Sequence, residues 1–218
     1  MQEKKRVNNY DKLSEEWRLR FLEMDKEMLK KKIPEIREEG DFFLITHFGE
    51  TFGVSLKDGT IHSMEEREKE ISNGIKMDIY NLFWYSKETA FFQNRWVPFR
   101  DVKGASPFTM AFERNVLVPF AKTFEGHVGE LKKAAEAIGA KKVRQGDAGY
   151  LLNAFDCIPM QYLFWDGDDE FPAQANILYD YSVTDYIHVE STVSLATEGI
   201  LRLAEVAGVE LKGNIFKM

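Results

Sequence analysis

The sequence holds one cysteine, Cys157, in 218 residues. A single thiol cannot close a disulfide within the chain, and it cannot supply an all-cysteine metal site or an iron–sulfur cluster. Long apolar runs are also missing, so no segment approaches the length that spans a bilayer. The N-terminal Gln2-Glu3-Lys4-Lys5-Arg6 leads into no apolar segment, which reads as a chain without a signal peptide and of cytoplasmic location. Excess positive charge is lacking: 29 Lys and Arg face 36 Asp and Glu, a net charge of −7. Neither a nucleic-acid backbone nor an anionic membrane is therefore expected as the main partner, because both need clustered Lys and Arg. The sequence has no Gly-x-Ser-x-Gly and no His-Glu-x-x-His. Gln145-Gly146-Asp147-Ala148-Gly149 lacks the Lys of a phosphate-binding loop, and its Asp would repel phosphate, so it reads as a turn.

What is present describes an ordinary folded protein with an aromatic core. Hydrophobic residues make up 44% and charged residues 30%, and Phe alone numbers 17. Tyr10, Leu13, Trp17, Phe21, Met24 and Met28 recur at three- and four-residue steps, which predicts an amphipathic helix over 10–32, interrupted at Pro34. That stripe either docks on its own domain or forms a homodimer contact. A β-meander follows, with strands over 41–47, around Phe52-Val54-Leu56 and at 60–62, turning at Gly49-Glu50 and Asp58-Gly59. Ser63 and Glu66 have the spacing of a capping box for a helix that kinks at Asn73-Gly74 and resumes through Ile79 and Leu82.

Trp96 to Phe99 reads as an edge strand because of Pro98. Ser106-Pro107 opens a helix that Pro119 kinks or ends, and a second helix runs from Val128 to a stop at Gly139. Strands are expected at 150–155, 160–165 and 176–181, and a final helix at 190–207. The expected architecture is α+β: a mixed or antiparallel sheet with helices packed on one side and an N-terminal amphipathic helix. The chain reads as one domain, 1–218, with residues 1–36 a helical extension on a core of 40–207.

The densest charge lies in Trp165-Asp166-Gly167-Asp168-Asp169-Glu170-Phe171-Pro172-Ala173, where four carboxylates sit within five residues. Asp166, Asp168, Asp169 and Glu170 are hard oxygen ligands suited to a divalent cation, with His188 as a nitrogen ligand should it converge on them. The spacing does not follow an EF-hand. The other reading is a hairpin loop whose carboxylates accept backbone N–H groups or pair with Arg95, Arg100 or Arg144. In an extended segment, His188 and Glu190 would share one face. Cys157, in Phe155-Asp156-Cys157-Ile158-Pro159, has no neighbouring histidine in sequence and reads as a small buried side chain.

Several of these runs resemble a known family. Gln145-Gly146-Asp147, the Trp165 to Ala173 run, Ile177-Leu178-Tyr179-Asp180, and Trp96 to Arg100 with Gly104 are similar to a family of uncharacterised prokaryotic proteins, domain of unknown function 3786. The resemblance covers about residues 40–207 and assigns no activity or cofactor. It implies a binding or accessory role in anaerobic metabolism, with Trp96, Arg100, Asp147 and Trp165 as candidate ligand-binding residues. Some relatives are fused to cysteine-rich iron–sulfur modules, which this chain lacks. Two alternatives stand beside that reading: a metal-assisted hydrolase or lyase using the 166–170 turn, and an oligomeric interaction protein using the 10–28 stripe.

Overall fold

The computed structural model describes residues 9–66 and 68–215; the leader-free reading of residues 2–6 falls outside them. The architecture is α+β, with two sheets, both antiparallel throughout. The predicted 10–32 helix is divided into α1 (Asn9–Glu23) and α2 (Lys26–Lys32). Asp25 causes the division by adopting an extended backbone and capping α2, its carboxylate accepting the Met28 N–H at 3.0 Å. The Lys26 ammonium closes the other end, donating to the Phe21 and Met24 carbonyls. The apolar spacing runs through this corner unchanged, so periodicity alone did not mark it. Trp17 and Phe21 are buried against Trp84 and Phe83 of α3 (Asn73–Tyr85), with ring centroids 5.7 and 5.5 Å apart. The centre of the stripe thus docks on its own chain.

The first sheet is β1 (Arg37–Glu39), β2 (Phe42–His47), β3 (Glu50–Ser55) and β4 (Ile61–Ser63), in chain order. His47 pairs with Glu50, so the β2–β3 turn is Phe48-Gly49, one residue earlier than predicted. Both turn residues have positive φ, 45° and 79°. Phe48 tolerates this because its ring is buried and its N–H donates to the Ala154 carbonyl at 3.1 Å. Ser63 does accept the Glu66 N–H, but the described residues between it and Ser72 form no helix. Its hydroxyl donates instead to Glu50, and the cap of α3 is Ser72, which accepts the Ile75 N–H. Asn73-Gly74 is therefore a helix start and not a kink.

The second sheet has the order β5-β9-β8-β7-β6: β5 (Trp96–Pro98), β9 (Gln174–Asp180), β8 (Ile158–Trp165), β7 (Ala148–Phe155) and β6 (Lys141–Lys142). Pro98 lies on the edge strand, as its missing N–H requires. The Asp180 carboxylate accepts the N–H groups of Gln93 and Arg95, which anchors the approach to β5.

Ser106-Pro107 forms a short 3₁₀ turn, and the helix proper begins two residues later than predicted, as α4 (Thr109–Phe112). A π turn at Glu113–Leu117 then joins it to α5 (Val118–Phe124). Pro119 neither ends nor breaks this helix. It has no N–H to give to the carbonyl four residues back, and the wider π turn just before it accommodates that loss. The remaining helices are α6 (Val128–Ala137), α7 (Val183–Tyr186) and α8 (Val189–Ala207), the last closed by Gly208 in the left-handed conformation. No helix among the described residues is long and apolar enough to cross a membrane.

Candidate functional site

The acidic run is the loop joining β8 to β9, entered at the Trp165–Gln174 pair. Gly146-Asp147 builds its base. A Cβ on Gly146 would lie 2.5 Å from the Phe164 carbonyl oxygen, so only glycine lets the two chains approach. Asp147 then donates its N–H to that carbonyl at 2.8 Å and accepts the Asp166 N–H at 2.8 Å. Asp166 accepts the Gly126 and Gly167 N–H groups, at 2.9 and 3.0 Å. Asp168 accepts those of Glu170 and Phe171, both at 2.8 Å, and these two bonds hold its carboxyl below the ordinary range. Asp147, Asp166 and Asp168 are thus engaged by backbone donors, while Asp169 and Glu170 face solvent.

His188 belongs to another part of the fold. It caps α8, its Nδ1 accepting the Glu190 N–H at 3.3 Å, and its ring lies against Tyr85. The shared extended face expected for His188 and Glu190 is replaced by this cap, because Glu190 is already in the helix. Among the described residues, no three His, Cys, Asp or Glu side chains group as a metal ion requires.

Beside the acidic loop lies a cavity of about 530 Å³. One wall is the sheet edge, with Arg100 just beyond β5, Trp165 at the end of β8, and Gln174 and Asn176 on β9. The opposite wall is the π-turned helix, which contributes Phe112 and Glu113. Phe99 and Phe112 stack at 4.0 Å with their planes 13° apart, fixing the helix against the strand. Trp165 is 39% exposed. Arg100 and Glu113 line the same cavity, yet neither makes an ion pair or side-chain hydrogen bond with any described residue.

The candidate ligand residues therefore separate. Arg100 and Trp165 come together in the cavity wall. Trp96 sits on the same edge strand but turns to Phe92 and to Asn94, to which its indole N–H donates at 3.2 Å. Asp147 lies behind the wall and braces the loop.

Sequence reasoning missed a buried pair. Asp78 on α3 and His47 at the end of β2 are 0% and 3% exposed, with His47 Nε2 3.5 Å from an Asp78 carboxylate oxygen. Neither Asp78 oxygen has a partner in hydrogen-bond geometry. Burial pushes the Asp78 carboxyl well above its usual range, only partly offset by the Ser194 hydroxyl, and pushes His47 down to about 4. At its lowered value His47 is neutral near pH 7. A signal was present: Asp78 falls between Ile75 and Leu82 on the three- and four-residue spacing of the apolar face.

Cys157 is half-buried and donates its thiol to Glu35 at 3.5 Å, and burial pushes that thiol up, away from the reactive thiolate. Burial, with Asp156 nearby, raises Glu35 to about 7.

A family model described as Domain of unknown function (DUF3786) matches residues 26–202. No curated protein and no solved structure matches the chain.

Proposed function

The chain belongs to the DUF3786 family, and from that premise, which assigns no activity, we propose that it is a non-catalytic binding protein for a small planar carboxylate. The observation that carries this reading is an unpaired guanidinium, Arg100, in one cavity with the exposed Trp165 ring. Arginine presents a fork of donors matched to a carboxylate, and an indole face holds a flat ring by stacking. Glu113, on the opposite wall, accepts from an amine or hydroxyl on the ligand. The cavity volume falls in the range of small-molecule sites. As an accessory protein of anaerobic metabolism, the chain would hold such a metabolite without transforming it, since no nucleophile and base are arranged together in the wall.

Calorimetric titration of the full chain with 4-aminobenzoate, benzoate and aniline tests this. The expected order of affinity is 4-aminobenzoate, then benzoate, then aniline. Arg100→Gln should weaken the two carboxylates about tenfold or more and leave aniline unchanged. Carboxylate binding that is absent, or that survives unchanged in both Arg100→Gln and Trp165→Ala, would remove this function.

A further inference from the structure

A second cavity, of about 540 Å³, shares the Phe112 ring with the first and opens where α1, α3, the π turn and the start of α8 meet. We propose that it is a separate binding site for a neutral aromatic molecule carrying one hydrogen-bonding group such as a phenolic hydroxyl. The two cavities differ in charge. Among the described residues no Lys or Arg lines the second, and its one carboxylate is Glu190, so its described lining offers an organic anion no Lys or Arg to pair with. Its walls are apolar and aromatic: Leu13 and Trp17 from α1, Met77 and Tyr85 from α3, Phe108 and Val193 from opposite ends.

His188 supplies the polar contact. Its Nδ1 accepts the Glu190 N–H, so in the neutral ring the proton sits on Nε2, and that N–H has no partner among the described residues. Tyr85 packs against the ring, tilted at 39° with centroids 5.2 Å apart, and holds its orientation. Asn115 also lines this cavity while Glu113, two residues earlier, lines the other. The π turn thus distributes neighbouring side chains between two sites, a placement in keeping with the functional use of such turns.

The α1 wall lies outside the residues matched by the family model, which begin at 26. The second cavity therefore combines matched residues with α1, whereas the described lining of the first lies wholly within the matched residues.

Titration of the full chain with 2-naphthol, followed by tryptophan fluorescence and calorimetry, tests the site. Saturable binding of one 2-naphthol per chain is expected, with 2-naphthoate weaker at this site. Ala111→Trp, at an exposed position in the cavity wall, should weaken 2-naphthol by about tenfold or more. Val193→Phe should do the same by filling the cavity from α8 and serves if the first variant fails to fold. Arg100→Gln should leave 2-naphthol binding unchanged, which separates this site from the carboxylate site. The proposal is overturned by non-saturable binding, by unchanged affinity in folded Ala111→Trp or Val193→Phe, or by loss in Arg100→Gln.

Discussion

The acidic loop and the His47–Asp78 pair hold carboxylates under opposite conditions. In the loop, negative charge is dense and exposed, and Asp166 and Asp168 each accept two backbone N–H groups. In the interior, one carboxyl is wholly enclosed with only the Ser194 hydroxyl to offset its burial, and the imidazole 3.5 Å away is buried too. Charge density in the sequence thus marks a place where the chain folds back on itself. A lone acid in an apolar stripe marks where the interior encloses a titratable group and disfavours its charge. The physical difference is solvation: an exposed carboxylate stays ionised and gains from each N–H it accepts, while a buried one gives up its charge.

The largest test of this contrast concerns how tightly the interior is packed. A Cβ on Gly199 of α8 would lie 2.0 Å from the Tyr162 hydroxyl, which itself donates to the Leu195 and Ala196 carbonyls. Gly199→Ala should cost about 3 kcal/mol in urea unfolding, the upper end for overpacking a closed core. A loss under about 1 kcal/mol would show an interior loose enough to admit water to the pair.

The second test is pH. His47 has a folded pKa near 4 against an ordinary 6.5, so its contribution to stability is present above 6.5 and lost as pH falls toward 4. Asp78 is shifted the other way, so its contribution is present below 3.8 and lost as pH rises above it. Between pH 4 and 6.5 the two slopes oppose one another. Asp78→Asn removes one slope and leaves the other. Relative to the native protein, the variant should lose ground as pH falls from 7 toward 4, where the native protein regains the contribution of its protonated Asp78, by chemical denaturation at each pH. Should it instead lose about 3–5 kcal/mol at pH 7, the pair is ionised and the contrast with the loop fails.

The smallest effect belongs to the loop. Asp166→Ala removes the acceptor for the Gly126 and Gly167 N–H groups and should cost about 1 kcal/mol, since both donors can turn to water. Native-state hydrogen exchange should show the loss confined to residues near 126 and 167. A global loss as large as that of Gly199→Ala would mean that the loop is not a local structure.

Much of the fold was legible because its signals are local. The β-meander, the edge strand at Pro98, the end of α6 at Gly139 and the extent of α8 all follow from alternation, missing donors and chain-reversing glycines. The misplaced features share one cause. The apolar spacing carries none of them: the break at Asp25 and the start of α3 at Ser72 are set by local caps that the hydrophobic period runs through, and Pro119 passes through its helix on a rarer backbone geometry. The candidate site was half visible. Arg100 and Trp165 were named for the runs they belong to, but Glu113 and the second cavity depend on a π turn that no spacing rule indicates.

The sequence by itself determined the fold class, the family and the carboxylate-rich loop, because local periodicity and turn chemistry act over a few residues. It also placed that loop between two strands, with Gly146-Asp147 as a companion motif. Tertiary structure alone decided what the carboxylates do. It spent Asp166 and Asp168 on backbone donors, left Arg100 beside Trp165 without a partner among the described residues, and enclosed Asp78 with His47. The reason is that hydrogen-bond satisfaction and desolvation depend on which groups meet across the fold, and those meetings join residues far apart in sequence, Gly126 and Asp166 being 40 positions apart.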